Sequence, residues 1–149
     1  MKHLIPIISS VVCLFIMSCN TETSHIVLLE ADTYLEKEKN DSAYLLLSSI
    51  DEEKISSRDD MMLFLLLRER TNFLTDRKTD TKSLQECIDY YKNHDDIRLM
   101  QAYFYKGVAD AELKRDVRDI LENLKKAERI AMKYSDSVML NKIYDNLAS

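Results

Sequence analysis

The whole chain contains one glycine, Gly107, and one proline, Pro6, and this scarcity constrains the fold more than any other feature. Tight β-hairpins place glycine or Asn-Gly where the backbone must take positive φ, so a chain this poor in glycine has almost no means of reversing strands. The chain is therefore predicted to be all-α. Of its 149 residues 46% are hydrophobic and 32% charged, enough apolar surface to offset the entropy of ordering and to exclude global disorder.

Lys2 and His3 precede an apolar run from Leu4 to Met17 that is broken only by Pro6, Ser9 and Ser10. The run is too short to span a bilayer comfortably as a permanent helix and reads as the core of a cleaved export leader. The residues that close it, Ile16-Met17-Ser18-Cys19, resemble the lipobox of bacterial lipoproteins: an aliphatic side chain, a small one just before the cut, then the cysteine that takes lipid. That resemblance implies cleavage before Cys19, a diacylglyceryl group on its thiol and an acylated new amino terminus, several acyl chains that together anchor firmly. Asn20 is not the aspartate that holds such lipoproteins at the inner membrane, which points to the outer membrane, facing the periplasm. Residues 1–18 are thus read as signal peptide and 19–25 as a lipid-anchored polar tether. Cys13 leaves with the leader and Cys19 becomes a thioether, so Cys87 stands alone and the mature chain can form no intrachain disulfide.

Helical periodicity begins at once after the tether. Val27, Ala31, Tyr34 and Leu35 form one stripe of a helix, and Asn40 and Asp41 are expected to break the chain and cap a second helix carrying Ala43, Leu46, Leu47 and Ile50. Ser56 and Ser57 each precede an acid by three residues, a capping-box spacing that opens a third helix. Met61 to Leu67 is an unbroken apolar run that needs neighbours on more than one face. A fourth helix carries Leu84, Cys87, Ile88 and Tyr91. A fifth, about 96–114, presents Met100, Phe104, Gly107 and Ala111, large residues followed by small ones that let another helix approach. A sixth, about 116–134, carries Val117, Ile120, Leu121, Leu124, Ala127 and Ala131, and a seventh follows with Leu140, Ile143, Tyr144 and Leu147. Odd-numbered helices begin near 26, 58, 96 and 137, a helix-pair period whose members gain stability by stacking on neighbours.

The third pair, Ala102 to Leu113 followed by Asp116 to Glu128, resembles a tetratricopeptide repeat. Tyr103 takes the first aromatic position, Gly107 the small position of the first helix, and Leu124 and Ala127 the large and small positions of the second. Lys106, Asp110, Ile120 and Lys114 stand where the family usually has leucine, tyrosine, alanine and the turn glycine. With the lipobox, Leu29 to Leu35 and Asn40 to Asp51, the whole chain looks like the N-terminal part of the tetratricopeptide-repeat lipoproteins of Bacteroidetes. That resemblance implies a right-handed stack of antiparallel helix pairs, a TPR-like α-solenoid of about seven helices after the leader. Residues 26–149 would form the repeat domain, its last repeat incomplete because the helix opening near Ile143 lacks a partner.

Catalytic chemistry finds no foothold. Phosphate-cradling loops need several glycines, and zinc needs about four ligands where the mature chain offers Cys87, His25 and His94 far apart. No cofactor and no metal is expected. Removal of Lys2 leaves 20 Lys and Arg against 26 Asp and Glu, a net charge of −6 with no basic stripe, which argues against nucleic acid. His94 reads as a cation at a helix C-terminus, and the pairs Asp59 with Asp60 and Asp95 with Asp96 as carboxylates at helix N-termini. Cys87 reads as core packing. Tyr90 and Tyr105 are the candidate partner-binding residues, tyrosine bringing large contact area at low entropy cost; Tyr91 and Tyr103 are at least as well explained by packing.

The sequence thus reads as a membrane-anchored scaffold that binds a protein or peptide at the cell envelope and is no enzyme, with no small-molecule substrate. The alternative is the periplasmic sensory segment of a larger signalling or transcription-regulating repeat protein, truncated here. The anchor has a direct check: Cys19→Ala is expected to abolish incorporation of labelled palmitate and to release the chain from membranes. Retained label in that variant contradicts the lipobox reading.

Overall fold

In the computed structural model, described here over residues 24–148, the chain is all-helical. Residues 24–36 form α1, followed by α2 (Asn40–Ser48), a 3₁₀ turn (Glu52–Lys54), α3 (Arg58–Leu74), α4 (Thr81–Tyr91), α5 (Asp96–Glu112), α6 (Val117–Lys133) and α7 (Ser137–Leu147). No strand occurs among the described residues. The chain divides into two compact units, and the boundary falls inside α3 between Phe64 and Leu65. The residues read as signal peptide, Cys19 and the first residues read as tether lie outside the described residues; Ser24 and His25, also read as tether, are already helical.

How the chain reverses without glycine is answered by four residues with φ between 53 and 57°: Glu38, Asp76, Lys114 and Ser135. Each follows a helix and closes it in the same way. The next residue donates its N–H five positions back, Lys39 to Tyr34 O, Arg77 to Asn72 O, Arg115 to Asp110 O and Asp136 to Ala131 O, at 2.8–2.9 Å. The left-handed residue itself bonds three back, as Lys114 does to Ala111 O at 3.0 Å. This is the Schellman arrangement, which satisfies carbonyls the helix end would otherwise orphan. It is usually built on glycine, because a Cβ in the left-handed region costs roughly 1–2 kcal/mol. Glu38, Asp76 and Lys114, which end α1, α3 and α5, follow one another at intervals of 38 residues.

Helix starts are as uniform as helix ends. Asp80, Asp95, Asp116 and Asp136 cap α4, α5, α6 and α7, each accepting a backbone N–H from the first turn. Ser57 accepts from the Asp60 N–H at 3.4 Å, the expected capping-box contact. The start of α2 differs from expectation. Asn40 is its first residue rather than its cap, Lys39 stands in the cap position without a side-chain bond, and Asn40 Oδ1 is buried without a partner. The left-handed turn at Glu38 reverses the chain one step earlier than the Asn-Asp signal suggests.

In the first unit Leu28, Ala31, Leu35, Ala43 and Leu47 are buried, so of the stripes predicted for α1 and α2 Ala31, Leu35, Ala43 and Leu47 enter the core, Val27, Tyr34, Leu46 and Ile50 are half-buried, and Leu28 joins them unpredicted. His25 and Asp60 are joined by a 2.6 Å hydrogen bond that ties the start of α1 to the start of α3. Met62 to Leu67 are all buried, as a run apolar on every side requires.

In the second unit α5 packs against both α4 and α6, and α6 against α7. The α5 and α6 pair is antiparallel, since Asp96 meets Lys133 and Tyr134, Tyr103 lies under Lys126, and Gly107 faces Leu124. A Cβ at Gly107 would stand 3.0 Å from both Cγ and Cδ2 of Leu124, itself only 2% exposed. Gly107 is thus where the two helices come closest, and its lack of a side chain serves contact rather than backbone freedom. Three positions expected to face the core do not. Ala111 is exposed, and Val117 and Leu121 are 66% and 40% exposed, because the ends of α5 and α6 nearest their connecting turn run past the packed zone.

A buried polar lock fastens α3 to α4. Glu69, 1% exposed, accepts from Arg68 Nε at 2.8 Å and from the Asp80 backbone N–H at 2.7 Å. Arg68 also reaches Ser83 Oγ, which donates to Asp80 at 2.9 Å. A buried carboxylate is tolerated when its lone pairs are filled in this way.

The left-handed turns make a measurable prediction. Lys114→Gly, at φ 53°, is expected to raise stability by about 1 kcal/mol and the melting temperature by roughly 3 °C, whereas Lys114→Val lowers both. Thermal unfolding followed by circular dichroism checks it; a glycine variant no more stable than the parent contradicts it.

Candidate functional site

An open cleft of about 540 Å³ lies where the first turns of α4, the second half of α5 and the start of α6 converge. Each wall follows from a local sequence feature. Asp80 starts α4 and so sets Thr81, Lys82 and Gln85 along one rim. The left-handed turn at Lys114 swings Arg115, Asp116 and Asp119 onto the other. The floor is an ion pair between Lys106 and Asp110, with side chains 16% and 5% exposed. These are two of the positions at which the resemblance noted above expects other residues, leucine and tyrosine.

The cleft is balanced in charge, Lys82, Lys106 and Arg115 against Asp110, Asp116 and Asp119. Within it the cations are used unequally. Lys106 is neutralised by Asp110, whereas Lys82 and Arg115 offer side chains with no ion pair among the described residues. Asp116 caps α6 by accepting from the Arg118 N–H at 2.8 Å, while the Asp119 carboxylate accepts no hydrogen bond from any described residue. The cleft therefore presents charges of both signs on a polar surface.

The residues singled out from sequence are not brought together. Tyr105 is 2% exposed and lies in the core, edge-on to Phe73 at 5.8 Å and Phe104 at 5.1 Å with Arg70 over its ring. It therefore offers a partner no surface in this structure. The reason is that α5 is covered on two faces, so the stripe of Ala102, Tyr105 and Ala109 is buried as well as that of Met100 and Phe104. Tyr90 is half-buried at the end of α4, stacked on His94 at 4.2 Å and edge-on to Tyr91 at 5.1 Å, and does not line the cleft. Cys19 lies outside the described residues. Tyr91 is core, and Tyr103 is half-buried beneath Lys126.

The remaining chemistry-bearing groups have structural work. His94 Nδ1 donates to the Tyr90 carbonyl at 2.6 Å, which fixes its tautomer since a carbonyl can only accept. Asp95 caps α5, but Asp96 does not share that task as expected. Its carboxylate accepts from Lys133 Nζ at 2.6 Å and Tyr134 Oη at 2.9 Å, and these bonds, Lys133 foremost, hold its pKa below the ordinary value. Among the described residues no cluster of His, Cys, Asp and Glu could hold a metal ion, and no helix is long and apolar enough to cross a membrane.

Sequence reading missed Lys82, Arg115 and Asp119 because each is an ordinary exposed charge until the turns place them around one cleft. The usable signal was the pair Lys106 and Asp110, four residues apart on a face that is otherwise apolar. Compared with protein families, with curated proteins and with solved structures, the chain matches none.

Cys87 supplies a check on the packing. It is fully buried, and desolvation first, then the charge of Glu69, pushes its thiol up to about 12. With Cys13 and Cys19 replaced by serine, the native protein at pH 8 is expected to react with a thiol reagent on the order of 1,000-fold more slowly than in denaturant, in step with the lost thiolate fraction. Equal rates contradict it.

Proposed function

We propose that this chain is a lipid-anchored helical-repeat scaffold that holds a segment of another protein at the cell envelope, with the cleft between α4, α5 and α6 as its docking surface. The observation that carries the reading is that α1, α3 and α5, the first helices of successive pairs, end in one turn geometry at Glu38, Asp76 and Lys114, 38 residues apart, with the same turn at Ser135 closing α6. A unit repeated at fixed spacing stacks its helices side by side and leaves grooves between them, the arrangement that repeat proteins use to hold extended segments. The tetratricopeptide-like register of the third pair supports it, because Gly107 and Leu124 take the small and large positions and pack directly together.

The lipobox supplies the location. Acylation at Cys19 would tether the fold through a short polar stretch and confine its partner search to the membrane surface, where effective concentration is high. The ligand this cleft fits is a polar peptide segment, whose acidic side chains meet Lys82 and Arg115 and whose basic ones meet Asp119.

The test is site-specific photocrosslinking in cells that express the full chain. A benzophenone amino acid at Gln85 or Asp119 is expected to capture one discrete protein, and the same probe at Glu36, exposed on α1, is not. Addition of Lys82→Glu and Arg115→Glu should then cut the captured fraction roughly tenfold, the loss of two complementary charges. Equal capture from all positions, or none from the cleft, contradicts the proposal.

A further inference from the structure

The ion pair on the floor of the cleft is polar where the fold gains little from polarity. Lys106 and Asp110 stand one turn apart on the face of α5 that opens into the cleft, and Lys106 Nζ donates to Asp110 Oδ2 at 2.5 Å. Their side chains are 16% and 5% exposed, and beyond this one contact neither makes a side-chain hydrogen bond or ion pair with any described residue. Withdrawing two charges from water is offset only when further hydrogen bonds fill their remaining capacity, and a buried pair without them is commonly no better for stability than two apolar side chains. The carboxylate of Glu69 differs, since Arg68 Nε, Asn72 Nδ2 and the Asp80 N–H all donate to it.

What the pair leaves unused defines a ligand. An ammonium group carries three N–H donors and a carboxylate accepts through two oxygens, so Lys106 keeps donors, and Asp110 Oδ1 keeps its lone pairs, for whatever enters the cleft. A lone anion drawn to Lys106 would meet Asp110 beside it, and a lone cation drawn to Asp110 would meet Lys106. The match is a neutral group that accepts and donates side by side. One extended residue does this, because its own C=O and N–H point to the same edge, as in the hydrogen-bonded pairs of an antiparallel ladder. The floor is also fixed in place. The Asp110 carbonyl accepts from the Arg115 N–H at 2.9 Å in the turn that ends α5, and Gly107, next to Lys106, packs against Leu124, so little ordering remains to be done on binding.

We propose, on the reading that this cleft is the docking surface, that Lys106 and Asp110 bind the main chain of the docked segment: Lys106 donates to the carbonyl of one extended residue and Asp110 Oδ1 accepts from its N–H. Main-chain bonds at the floor are indifferent to sequence, and the rim charges supply the choice among sequences. The docked segment is therefore extended and not helical, since a helix spends these groups on itself.

The experiment follows, by fluorescence anisotropy, how the purified full chain binds a fluorescein-labelled peptide that alternates threonine with glutamate and lysine. Each peptide amide is replaced in turn by an ester, which removes one N–H. At one position the ester is expected to weaken binding about fivefold or more, because Asp110 is left without its donor, and elsewhere by less than about twofold. K106M/D110A is expected to bind that ester and the parent peptide equally and to melt no lower than the parent protein. K106Q/D110N, which keeps a donor and an acceptor, is expected to retain the preference for the amide. No binding of the peptide, indifference to every ester, a preference that survives K106M/D110A or is lost in K106Q/D110N, or a lower melting temperature in K106M/D110A overturns the proposal. Peptide binding that K82E with R115E leaves unchanged overturns the docking reading itself, and this proposal with it, whereas binding that those charges weaken but no ester does counts against the floor alone.

Discussion

Everything in this structure depends on ending helices sharply with almost no glycine. Four helix ends place a residue bearing a side chain in the left-handed region, and each is held there by the paired bonds that fill the last carbonyls of the helix. The strain is offset by those bonds and by the aspartate that caps the next helix one or two residues later at Asp116 and Asp136. Because reversal takes so few residues, successive helices lie close along the chain, and their apolar stripes meet rather than drift apart.

Close approach follows from that reversal. Once the turn at Lys114 has brought α6 back along α5, only a glycine at 107 leaves room for Leu124, and Ala127 and Ala131 extend the same thin seam. Charge is then placed where the seam opens. Asp96 clasps the far end of α6 through Lys133 and Tyr134, and Lys106 with Asp110 floors the cleft at the other end. The buried lock around Glu69 does for α3 and α4 what the glycine seam does for α5 and α6, by hydrogen bonds in place of shape.

Much of this was legible in the chain. Glycine scarcity predicts an all-α fold, the stripe of α4 buries as its periodicity requires, and those of α1 and α2 do so at Ala31, Leu35, Ala43 and Leu47. Reading failed where local signals compete with tertiary ones. Asn40 looks like a cap, yet the turn at Glu38 draws it into the helix. Tyr105 looks available because one stripe of α5 accounts for Met100 and Phe104, but a helix packed on two sides buries two stripes. Ala111, Val117 and Leu121 fit the period and stay exposed, since periodicity tells which face is apolar and not how far along its length a neighbour reaches. Asp96 shows the same limit: a helix-terminal acid has a local role by default, and only the fold reveals the lysine 37 residues away that claims it.

The account is tested most directly by backbone assignment of the isotopically labelled protein in solution. Helical Cα shifts are expected over seven segments, interrupted by left-handed residues at Glu38, Asp76 and Lys114, with slowly exchanging amides at Lys39, Arg77 and Arg115 that close the three turns. Helical shifts that run through those positions, or unprotected amides just after them, would contradict a fold in which α1, α3 and α5 all end in this one turn.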